Sequence, residues 1–375
     1  MILPPATLAM LGGGQLGRFF VIAAHEMGYR VAVLDPDPHS PAGRIADEHL
    51  VAAYDDNDAL ERLGTTCAAV TTEFENVPAD TLSFLSKYVP VRPSAECVAV
   101  AQNREREKSF FRDGGFPVGP FAVIGSEADI DAVPDDLLPG VLKIARFGYD
   151  GKGQARVATR AEIKDAFHAL KSERCVLERF LPLDLEVSVV LARTQDGEAR
   201  CFPVAENRHK NGILDVSIVP ARVDDRLRAE AEELALGVAL HLGYVGVLGV
   251  EMFVSEGRLL LNEIAPRPHN SGHYTIDACV IDQFEQQVRA LCGLRLGDAR
   301  LHTPAVMVNL LGDVWHGNEP HWGRLFDDAG LKLHLYGKHH ARPGRKMGHF
   351  TVLDEDAGRA VDRAYAARER IGIRD

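Results

Sequence analysis

The chain has 375 residues, of which 46% are hydrophobic, and a formal net charge of −12 at pH 7. This length exceeds what one hydrophobic core usually supports, so two or three domains are expected. The negative charge argues against non-specific binding of nucleic acid or of an anionic membrane, because the summed field repels a polyanion. Six cysteines without a C-x-x-C pair fit a reduced, cytoplasmic protein. Neither a signal peptide nor a membrane span is expected, because the N-terminus lacks a basic region before an apolar core and no stretch reaches 18 apolar residues.

The first hundred residues alternate between strand and helix patterns, which predicts an open parallel sheet. Four strands are expected, over 7–11, 31–34, 49–53 and 68–71. The glycine turn 12–17 (GGGQLG) separates the first strand from a predicted helix over 18–27. Asp35 lies 18 residues after Gly17, near the spacing at which a dinucleotide fold places its ribose-binding acid. An NAD-dependent oxidoreductase is therefore one interpretation of this segment.

Polar residues follow the fourth predicted strand, in the stretch Glu73-Phe74-Glu75-Asn76. Open α/β sheets bind ligands at the carboxyl ends of their strands, so this stretch is a candidate ligand-binding loop. The alternative is a polar loop with a capping asparagine.

A second domain is expected after 116–120, where the pattern changes to short strands. Lys143 interrupts an apolar strand at 141–144, although a lysine in a strand more often lies at an edge or extends into solvent. The glycine-rich loop 148–154 follows, and its amides can approach phosphate oxygens closely. The pattern predicts a mobile lid over the phosphates of a nucleotide. It is not a P-loop, because no G-K-[ST] ends it.

Two further predicted strands carry candidate nucleotide-binding acids. Glu178 lies in the strand and connector over 175–181, and Glu186 in the strand over 185–191. A carboxylate suits the two hydroxyls of a ribose, although isolated acids are more often surface residues. The predicted helix over 224–242 presents an apolar stripe to the core.

A predicted hairpin brings two glutamates together near its end. A three-residue loop at 256–258 pairs Ser255 with Leu259, and counting back places Glu251 opposite Glu263. Two carboxylates with Cβ atoms about 5 Å apart repel each other unless a divalent cation with oxygen ligands lies between them. The alternative is a solvated hairpin with two incidental acids.

The residues after this hairpin hold further polar groups, including Arg267 and two histidines. A helix over 271–291 is predicted to begin just beyond them, so that its N-terminus favours an anion held by the loop. Near the C-terminus, the loop 337–349 concentrates Lys338, Arg342, Arg345 and Lys346 within nine residues. In an acidic chain this loop is a candidate phosphate site, with a solvated basic loop as the alternative.

Five motifs occur in order along the chain: GGGQLG at 12–17, EFENV at 73–77, GYDGKGQ at 148–154, NEIAPRPHNSGH at 262–273 and RKMGH at 345–349. Together they resemble the N5-carboxyaminoimidazole ribonucleotide synthetase family, ATP-grasp enzymes of purine biosynthesis. The resemblance implies α/β and α+β architecture: an N-terminal open parallel α/β domain over 1–104, a small mobile lid over 105–185 and a large mixed C-terminal domain over 186–375, which includes the basic loop 338–349.

The resemblance also implies an activity. ATP and bicarbonate would carboxylate the exocyclic amine of 5-aminoimidazole ribonucleotide through carboxyphosphate, with release of ADP and phosphate. Magnesium would be held by Glu251 and Glu263. ATP would contact Arg104, Lys143, Gly148, Tyr149, Asp150, Gly151, Lys152, Gly153, Gln154, Glu178, Arg179, Phe180, Leu181, Glu186, His209, Asn262 and Glu263. A cytoplasmic homodimer is implied as well, with small molecules as partners and no nucleic acid or membrane.

Catalytic and substrate-binding roles follow from the chemistry of this reaction and of the motif residues. Lys143 would spread the charge that develops on the phosphate, Arg267 would hold bicarbonate, and either Asp150 or His273 would take the amine proton. The ribonucleotide would contact Gln15, Glu73, Asn76, Tyr149, Asn270, Ser271, Lys338, Arg345 and Lys346. Its 5′-phosphate would be held by the last three, aided by the amides near Gly14 and Gln15. Many ATP-grasp sites place a metal-binding asparagine two residues after the final glutamate, where this chain has Ala265, so how a second magnesium is completed stays open.

Three other functions stay open. A formate-dependent phosphoribosylglycinamide transformylase belongs to the same superfamily and would turn over ATP with formate. The NAD-dependent oxidoreductase depends only on the glycine turn and Asp35. A nucleotide sensor would bind ATP without turnover.

Overall fold

The N-terminal part of the computed structural model, which describes residues 1–146, 148, 153–171 and 174–373, forms an open parallel sheet. Its strands are β1 (Thr7–Leu11), β2 (Arg30–Leu34), β3 (Glu48–Leu50) and β4 (Ala69–Thr72), in the order β3-β2-β1-β4. The helices are α1 (Gln15–Glu26), α2 (Asn57–Thr66), α3 (Ala79–Leu85) and α4 (Ala95–Ala101). Apolar residues of the central strands are buried on both faces, as the run of hydrophobic residues predicts.

The helix α5 (Arg104–Asp113) leads from this domain to a small antiparallel sheet. The elements of the small domain are β5 (Phe121–Ile124), α6 (Glu127–Asp131), β6 (Gly140–Ile144), β7 (Gln154–Val157), α7 (Arg160–Ala169) and β8 (Cys175–Arg179), with the strand order β5-β8-β6-β7. Ile124, Leu142 and Leu177 are buried in its core. Ser126 and Thr159 cap its two helices by accepting hydrogen bonds from backbone N–H groups.

A large antiparallel sheet forms the remainder. Its strands are β9 (Leu185–Arg193), β10 (Ala199–Cys201), β11 (Ala205–Lys210), β12 (Ile213–Val219), β13 (Gly246–Ser255), β14 (Arg258–Ala265), β15 (Ala305–Leu311), β16 (Leu331–Leu335) and β17 (Lys346–Leu353). They run in the order β14-β13-β9-β11-β12-β15-β17-β16, with β10 beside β9. The helices are α8 (Asp225–His241), α9 (Thr275–Ala278), α10 (Gln283–Cys292) and α11 (Ala357–Arg370). The expected α/β and α+β architecture with an N-terminal open parallel sheet is confirmed, and the sheets of the small and large domains are antiparallel. In the described ranges, no helix has both the length and the apolar character that crossing a membrane requires.

The hairpin β13–β14 reaches the predicted pairing by a different route. Ser255 pairs with Arg258 across a two-residue turn with Glu256 at φ 51° and Gly257 at φ 69°, so the predicted three-residue loop is wrong. The register then shifts by one residue at Asn262, which forms a β-bulge. Glu251 therefore faces Glu263 as expected, because the extra residue in the bulge offsets the shorter turn.

The single helix predicted over 271–291 is also wrong. A 3-10 turn at Asn270–Gly272 and the short α9 come first, and α10 begins only at Gln283. Asp282 starts α10 because its carboxylate accepts hydrogen bonds from Phe284 N at 2.7 Å and Glu285 N at 2.9 Å. The N-terminus of the long helix therefore lies ten residues beyond the NEIAPRPHNSGH motif instead of inside it.

The N-terminal domain packs against the large domain through α10. Phe284 and Val288 of α10 share one buried cluster with Leu16, Phe20 and Val21 of α1. The two domains therefore have a continuous core at this contact, and the loop that carries the NEIAPRPHNSGH motif is anchored close to it.

Phe284→Ala is expected to lower the free energy of unfolding by about 3–5 kcal/mol, because it removes a fully buried ring and leaves a cavity between α1 and α10. Urea or thermal unfolding measures the change. Leu240→Ala, on the exposed side of α8, is the matched control and is expected to change stability by less than about 0.5 kcal/mol. Equal effects of the two substitutions would contradict the packing described here.

Candidate active site

A cavity of about 570 Å³ opens where the three parts of the molecule meet, a size typical of small-molecule sites. Its lining brings together residues that are far apart in the sequence: Asn76, Arg104, Lys143, Gly148, Gly153, Gln154, Phe180, Glu186, His209, Glu251, Asn262, Glu263, Arg267, Asn270 and Lys346. Among the other sequence-predicted residues, Glu178, Arg179, Leu181, Gln15, Glu73, Ser271, His273, Lys338 and Arg345 do not line it. Tyr149, Asp150, Gly151 and Lys152 lie outside the described residues.

Three cations surround Glu178 beside the cavity. Its carboxylate lies 2.8 Å from Lys143 Nζ, 2.9 Å from Lys108 Nζ and 3.9 Å from a guanidinium nitrogen of Arg104. Burial opposes the charge, but these cations hold the pKa of Glu178 well below its usual range. Burial, with Arg104 and Lys108 nearby, lowers the pKa of Lys143, while Glu178 counters that shift. Glu178 therefore orients Lys143 toward the cavity.

Lys108 is a site residue that the sequence did not identify. Besides pairing with Glu178, its ammonium donates to the backbone oxygen of Asn262 at 2.9 Å and so ties α5 to the bulge in β14. Its helix carries charge on several faces, so no local pattern distinguishes this buried lysine from an exposed one.

Glu186 and His209 form a second charged pair at the cavity, with His209 Nδ1 3.0 Å from Glu186 Oε2. Burial disfavours a charged imidazole, but Glu186, Glu251 and Glu263 together raise the pKa of His209 above its usual value. A partly charged imidazole on this wall suits an anionic ligand.

The two opposed glutamates differ in their partners. Glu251 Oε1 lies 2.8 Å from His269 Nε2, and Glu263 Oε2 lies 3.4 Å from Arg104 Nη2. Burial raises the pKa of Glu251, but His269 and His209 outweigh it and lower that pKa to about 2. The bulge lets the consecutive residues Asn262 and Glu263 both line the cavity.

These residues fit a hard divalent cation. Glu251, Glu263 and Asn262 offer oxygen donors, which Mg²⁺ prefers. Asn262 Oδ1 is buried and accepts no hydrogen bond from the residues that the structure describes, although buried side-chain oxygens are nearly always partnered. A cation between the two carboxylates would satisfy this oxygen and cancel their repulsion.

Glu107 of α5 also lines the cavity, beside the same strand. Its carboxylate accepts a hydrogen bond of 2.7 Å from the backbone N–H of Ile264, next to Glu263. Burial, reinforced by Glu263 and opposed by Arg104, raises the pKa of Glu107 to about 8. Glu107 is therefore protonated at neutral pH and adds no negative charge next to the two facing glutamates.

Arg267 is held at the cavity by Glu75, whose Oε2 lies 2.7 Å from Arg267 Nε. Burial opposes both charges, but each partner stabilises the other: the pKa of Arg267 is raised and that of Glu75 is lowered. Glu75 lies in the motif at 73–77. From the sequence, substrate-binding roles were predicted for its neighbours Glu73 and Asn76 and no role for Glu75.

The glycine turn holds carboxylates of the chain itself. Gly14 N and Gly17 N both donate to Glu73, the latter at 2.7 Å, and Gly13 N donates to Asp35 Oδ2 at 2.7 Å. In a dinucleotide fold these amides face a pyrophosphate. The NAD interpretation is therefore wrong, and the Gly14 amide expected to assist a ligand phosphate is engaged by Glu73.

The basic loop faces the N-terminal domain. Arg44 donates to Gly337 O at 3.4 Å, Lys338 Nζ donates to Lys346 O at 2.7 Å and Arg345 donates to His340 O at 2.8 Å. Lys346 also lines the cavity, so the loop connects the large cavity with the surface around Arg44.

His273 is fully buried, in contact with the rings of Phe19, Phe284, Tyr336 and His349. Burial lowers its pKa well below the usual value, so the imidazole is neutral. Together with Phe19 and Tyr336, it fills the contact between the domains.

Asp277, His334 and His349 approach one another near this cluster, with potential metal-ligating atoms within 4.8 Å. The rings of His334 and His349 are stacked, with centroids 4.6 Å apart and planes 21° apart. Their nitrogen lone pairs therefore lie in two nearly parallel, separated planes, which does not suit a shared tetrahedral metal centre.

The fold and cavity define an ATP-grasp enzyme, and comparison with known proteins agrees. The family model of the ATP-grasp domain matches residues 109–284, that of the ribonucleotide synthetase preATP-grasp domain matches 6–102, and that of the phosphoribosylaminoimidazole carboxylase C-terminal domain matches 305–363.

Full-length relatives identify the family. N5-carboxyaminoimidazole ribonucleotide synthase of Bacillus subtilis (strain 168) is 44% identical over 357 residues, which cover 95% of this chain and 93% of the relative. A crystal structure of an ADP complex of N5-carboxyaminoimidazole ribonucleotide synthetase has a TM-score of 0.92 at 42% identity and covers 98% of this chain and 97% of its own. A structure of the Aspergillus clavatus synthase with ADP and 5-aminoimidazole ribonucleotide has a TM-score of 0.89 at 32% identity, with 98% of each chain covered. The chain belongs to the N5-carboxyaminoimidazole ribonucleotide synthase family.

Glu107→Gln is expected to stabilise the protein increasingly as pH rises from about 4.5 to about 8. Within this window the unfolded chain loses the Glu107 proton while the folded protein keeps it, so wild-type stability falls by up to about 1.4 kcal/mol per pH unit from this group. Urea unfolding across the window measures the difference, with Glu233→Gln on the exposed face of α8 as the matched control for removing one carboxylate. A difference between Glu107→Gln and wild type that does not vary with pH would refute the raised pKa.

Proposed function

We propose that this protein is an ATP-dependent carbon–nitrogen ligase that converts 5-aminoimidazole ribonucleotide to N5-carboxyaminoimidazole ribonucleotide in purine biosynthesis. The observation that carries the proposal is the full-length likeness to an enzyme holding ADP and 5-aminoimidazole ribonucleotide. The cavity supports it, because it combines Lys143, Arg267 and two facing carboxylates, the groups that a phosphoryl transfer needs.

ATP would lie between the small and large domains, with its phosphates near Lys143 and Gly148. Mg²⁺ would be held by Glu251, Glu263 and Asn262, and when bound it supplies positive charge opposite the phosphate oxygens. The ammonium of Lys143, fixed by Glu178, stabilises charge on the transferred phosphoryl group. Glu186 and His209 line the same space and are candidates to orient the nucleoside.

Bicarbonate is a poor electrophile and has to be activated before an amine attacks it. Its oxygen attacks the γ-phosphorus of ATP, and ADP leaves, which forms carboxyphosphate. Arg267 presents its guanidinium to the cavity while Glu75 holds it at Nε, so it is positioned to grip the bicarbonate anion. The exocyclic amine of the ribonucleotide then attacks the carboxyl carbon, or CO₂ released from it, and phosphate departs as the amine loses a proton.

The proton acceptor is Asp150 or His273. His273 is neutral, but burial lowers its pKa and aromatic side chains enclose its ring, so it is a weak base, whereas Asp150 belongs to the glycine-rich loop. The ribonucleotide would occupy the space between Asn76, Asn270 and the basic loop, with its phosphate toward Lys338 and Arg345. We also propose that the protein is a cytoplasmic homodimer. Sedimentation tests the oligomeric state, and fractionation tests the location.

ADP release separates the candidate functions. We expect turnover that requires both bicarbonate and 5-aminoimidazole ribonucleotide. Turnover with formate and phosphoribosylglycinamide would instead identify the transformylase. Nucleotide binding without turnover under any of these conditions would identify a sensor.

Glu263→Gln is expected to lower turnover by a factor on the order of 10² or more and to weaken its dependence on Mg²⁺, because one of two facing carboxylates loses its charge. Initial rates over a magnesium titration measure both effects. Glu256→Gln, in the exposed turn of the same hairpin, is the matched control. Normal turnover with an unchanged titration would rule out a shared metal.

Arg345→Ala is expected to raise the KM for the ribonucleotide about 10- to 150-fold, because losing one charge-assisted contact to phosphate costs about 1.5–3 kcal/mol. The KM for ATP is expected to change little. Steady-state kinetics with each substrate varied in turn measures the split, and Arg359→Ala on the exposed side of α11 is the control. A higher KM for ATP alone would assign the basic loop to the nucleotide site.

A further inference from the structure

A chain of buried polar side chains runs from the cavity into the large sheet, starting at His269. His269 Nδ1 lies 2.8 Å from Ser271 Oγ, which lies 2.7 Å from Ser188 Oγ. Asn207 Nδ2 donates to Ser188 Oγ at 2.8 Å, and Ser217 Oγ donates to Asn207 Oδ1 at 2.8 Å. The last three residues lie on the adjacent strands β9, β11 and β12.

These four residues, Ser271, Ser188, Asn207 and Ser217, are termed the polar relay. At most 5% of any of them is exposed, so water does not compete for their hydrogen bonds. Buried polar side chains normally satisfy every donor and acceptor inside the protein. The direction of each hydrogen bond in the relay is therefore determined by its neighbours.

The amide of Asn207 sets that direction. Because its NH₂ group donates to Ser188, the hydroxyl of Ser188 is free to donate only onward, to Ser271. The hydroxyl of Ser271 in turn donates to Nδ1 of His269. At the far end, the hydroxyl of Ser217 donates to the amide oxygen of Asn207.

The consequence reaches the cavity through the imidazole of His269. A neutral imidazole that accepts at Nδ1 carries its proton on Nε2. That nitrogen lies 2.8 Å from Glu251 Oε1, so Nε2–H donates to the carboxylate. The opposite tautomer would direct a lone pair at an anionic oxygen, and the resulting repulsion would displace Glu251 from its position opposite Glu263.

We propose that three members of the polar relay, Asn207, Ser188 and Ser271, are positioning residues that hold His269 as the Nε2–H tautomer and thereby orient Glu251 at the active site. The inference rests on the proposed function for its catalytic consequence, but the tautomer itself does not depend on it. Gln283 supports the same geometry, because its side chain bonds both His269 N at 2.8 Å and His269 O at 2.9 Å and so fixes the backbone from which the ring projects.

Asn207→Asp tests the relay with nearly the same shape and an acceptor in place of the NH₂ donor. Ser188 then donates to the new carboxylate and Ser271 donates to Ser188, so Nδ1 of His269 has to supply the proton. We expect the nitrogen chemical shifts of His269, measured on protein labelled at histidine and assigned with His269→Gln, to change from the Nε2–H to the Nδ1–H pattern. Turnover is expected to fall about 10- to 100-fold, with little change in the KM for ATP.

Ser217→Ala is the matched control, because it removes one buried hydroxyl of the relay and leaves the Asn207 NH₂ donor on Ser188. It is expected to keep the wild-type tautomer. Ser188→Ala provides a second route if Asn207→Asp does not fold: it breaks the relay between Asn207 and Ser271, and both tautomers are then expected. Substituting Ser188 with threonine restores the hydroxyl and is expected to restore the single tautomer.

An unchanged Nε2–H pattern in folded Asn207→Asp, recorded up to the highest pH at which the variant is folded, would overturn the proposal. So would a single wild-type tautomer in Ser188→Ala. These outcomes are separate from the proposed function: a tautomer change in a protein without ribonucleotide-dependent ATP turnover would keep the relay and reject the function. Normal turnover in wild type with no tautomer change in the variants would keep the function and reject the relay.

Discussion

Repulsion between two facing carboxylates is the constraint on which the site depends. Glu251 and Glu263 pair across β13 and β14, and each is given a positively polarised partner, His269 for the first and Arg104 for the second. The bulge at Asn262 adds an amide oxygen to the same wall of the cavity. Removing so many charged side chains from water is costly unless other charges replace their hydration. The site therefore suits a cation and a charged ligand.

The helix α5 balances this negative charge. It supplies Arg104 to Glu263, Lys108 to Glu178 and to the backbone of the bulge, and the protonated Glu107 to the N–H of Ile264. Glu107 and Lys108 are almost fully buried, so each needs a close partner. Without one, the free-energy cost of removing its polar group from water would exceed the gain from the contact. One helix therefore couples the position of Lys143 to the position of the facing glutamates.

Much of the local structure followed from patterns in the sequence. Alternation between strand and helix patterns predicted the parallel sheet, and the hairpin prediction placed Glu251 opposite Glu263. That pairing was obtained from a wrong turn and an unseen bulge that offset each other, since period-2 alternation does not reveal an extra residue in one strand. The helix over 271–291 was overpredicted, because its apolar residues continue across Asp282, whose capping role depends on the backbone conformation.

By itself, the sequence determined the order and type of most elements, the five motifs and the segments that supply the site. Those are local properties, set by hydrophobic periodicity, turn residues and the chemistry of single side chains. Only the tertiary structure decided the partners of the charges: three cations around Glu178, the glycine turn closing on Glu73 and Asp35, and the relay from His269 to Ser217. Such contacts join residues tens to hundreds of positions apart, and their free energy depends on burial and distance, which no local pattern of residues encodes.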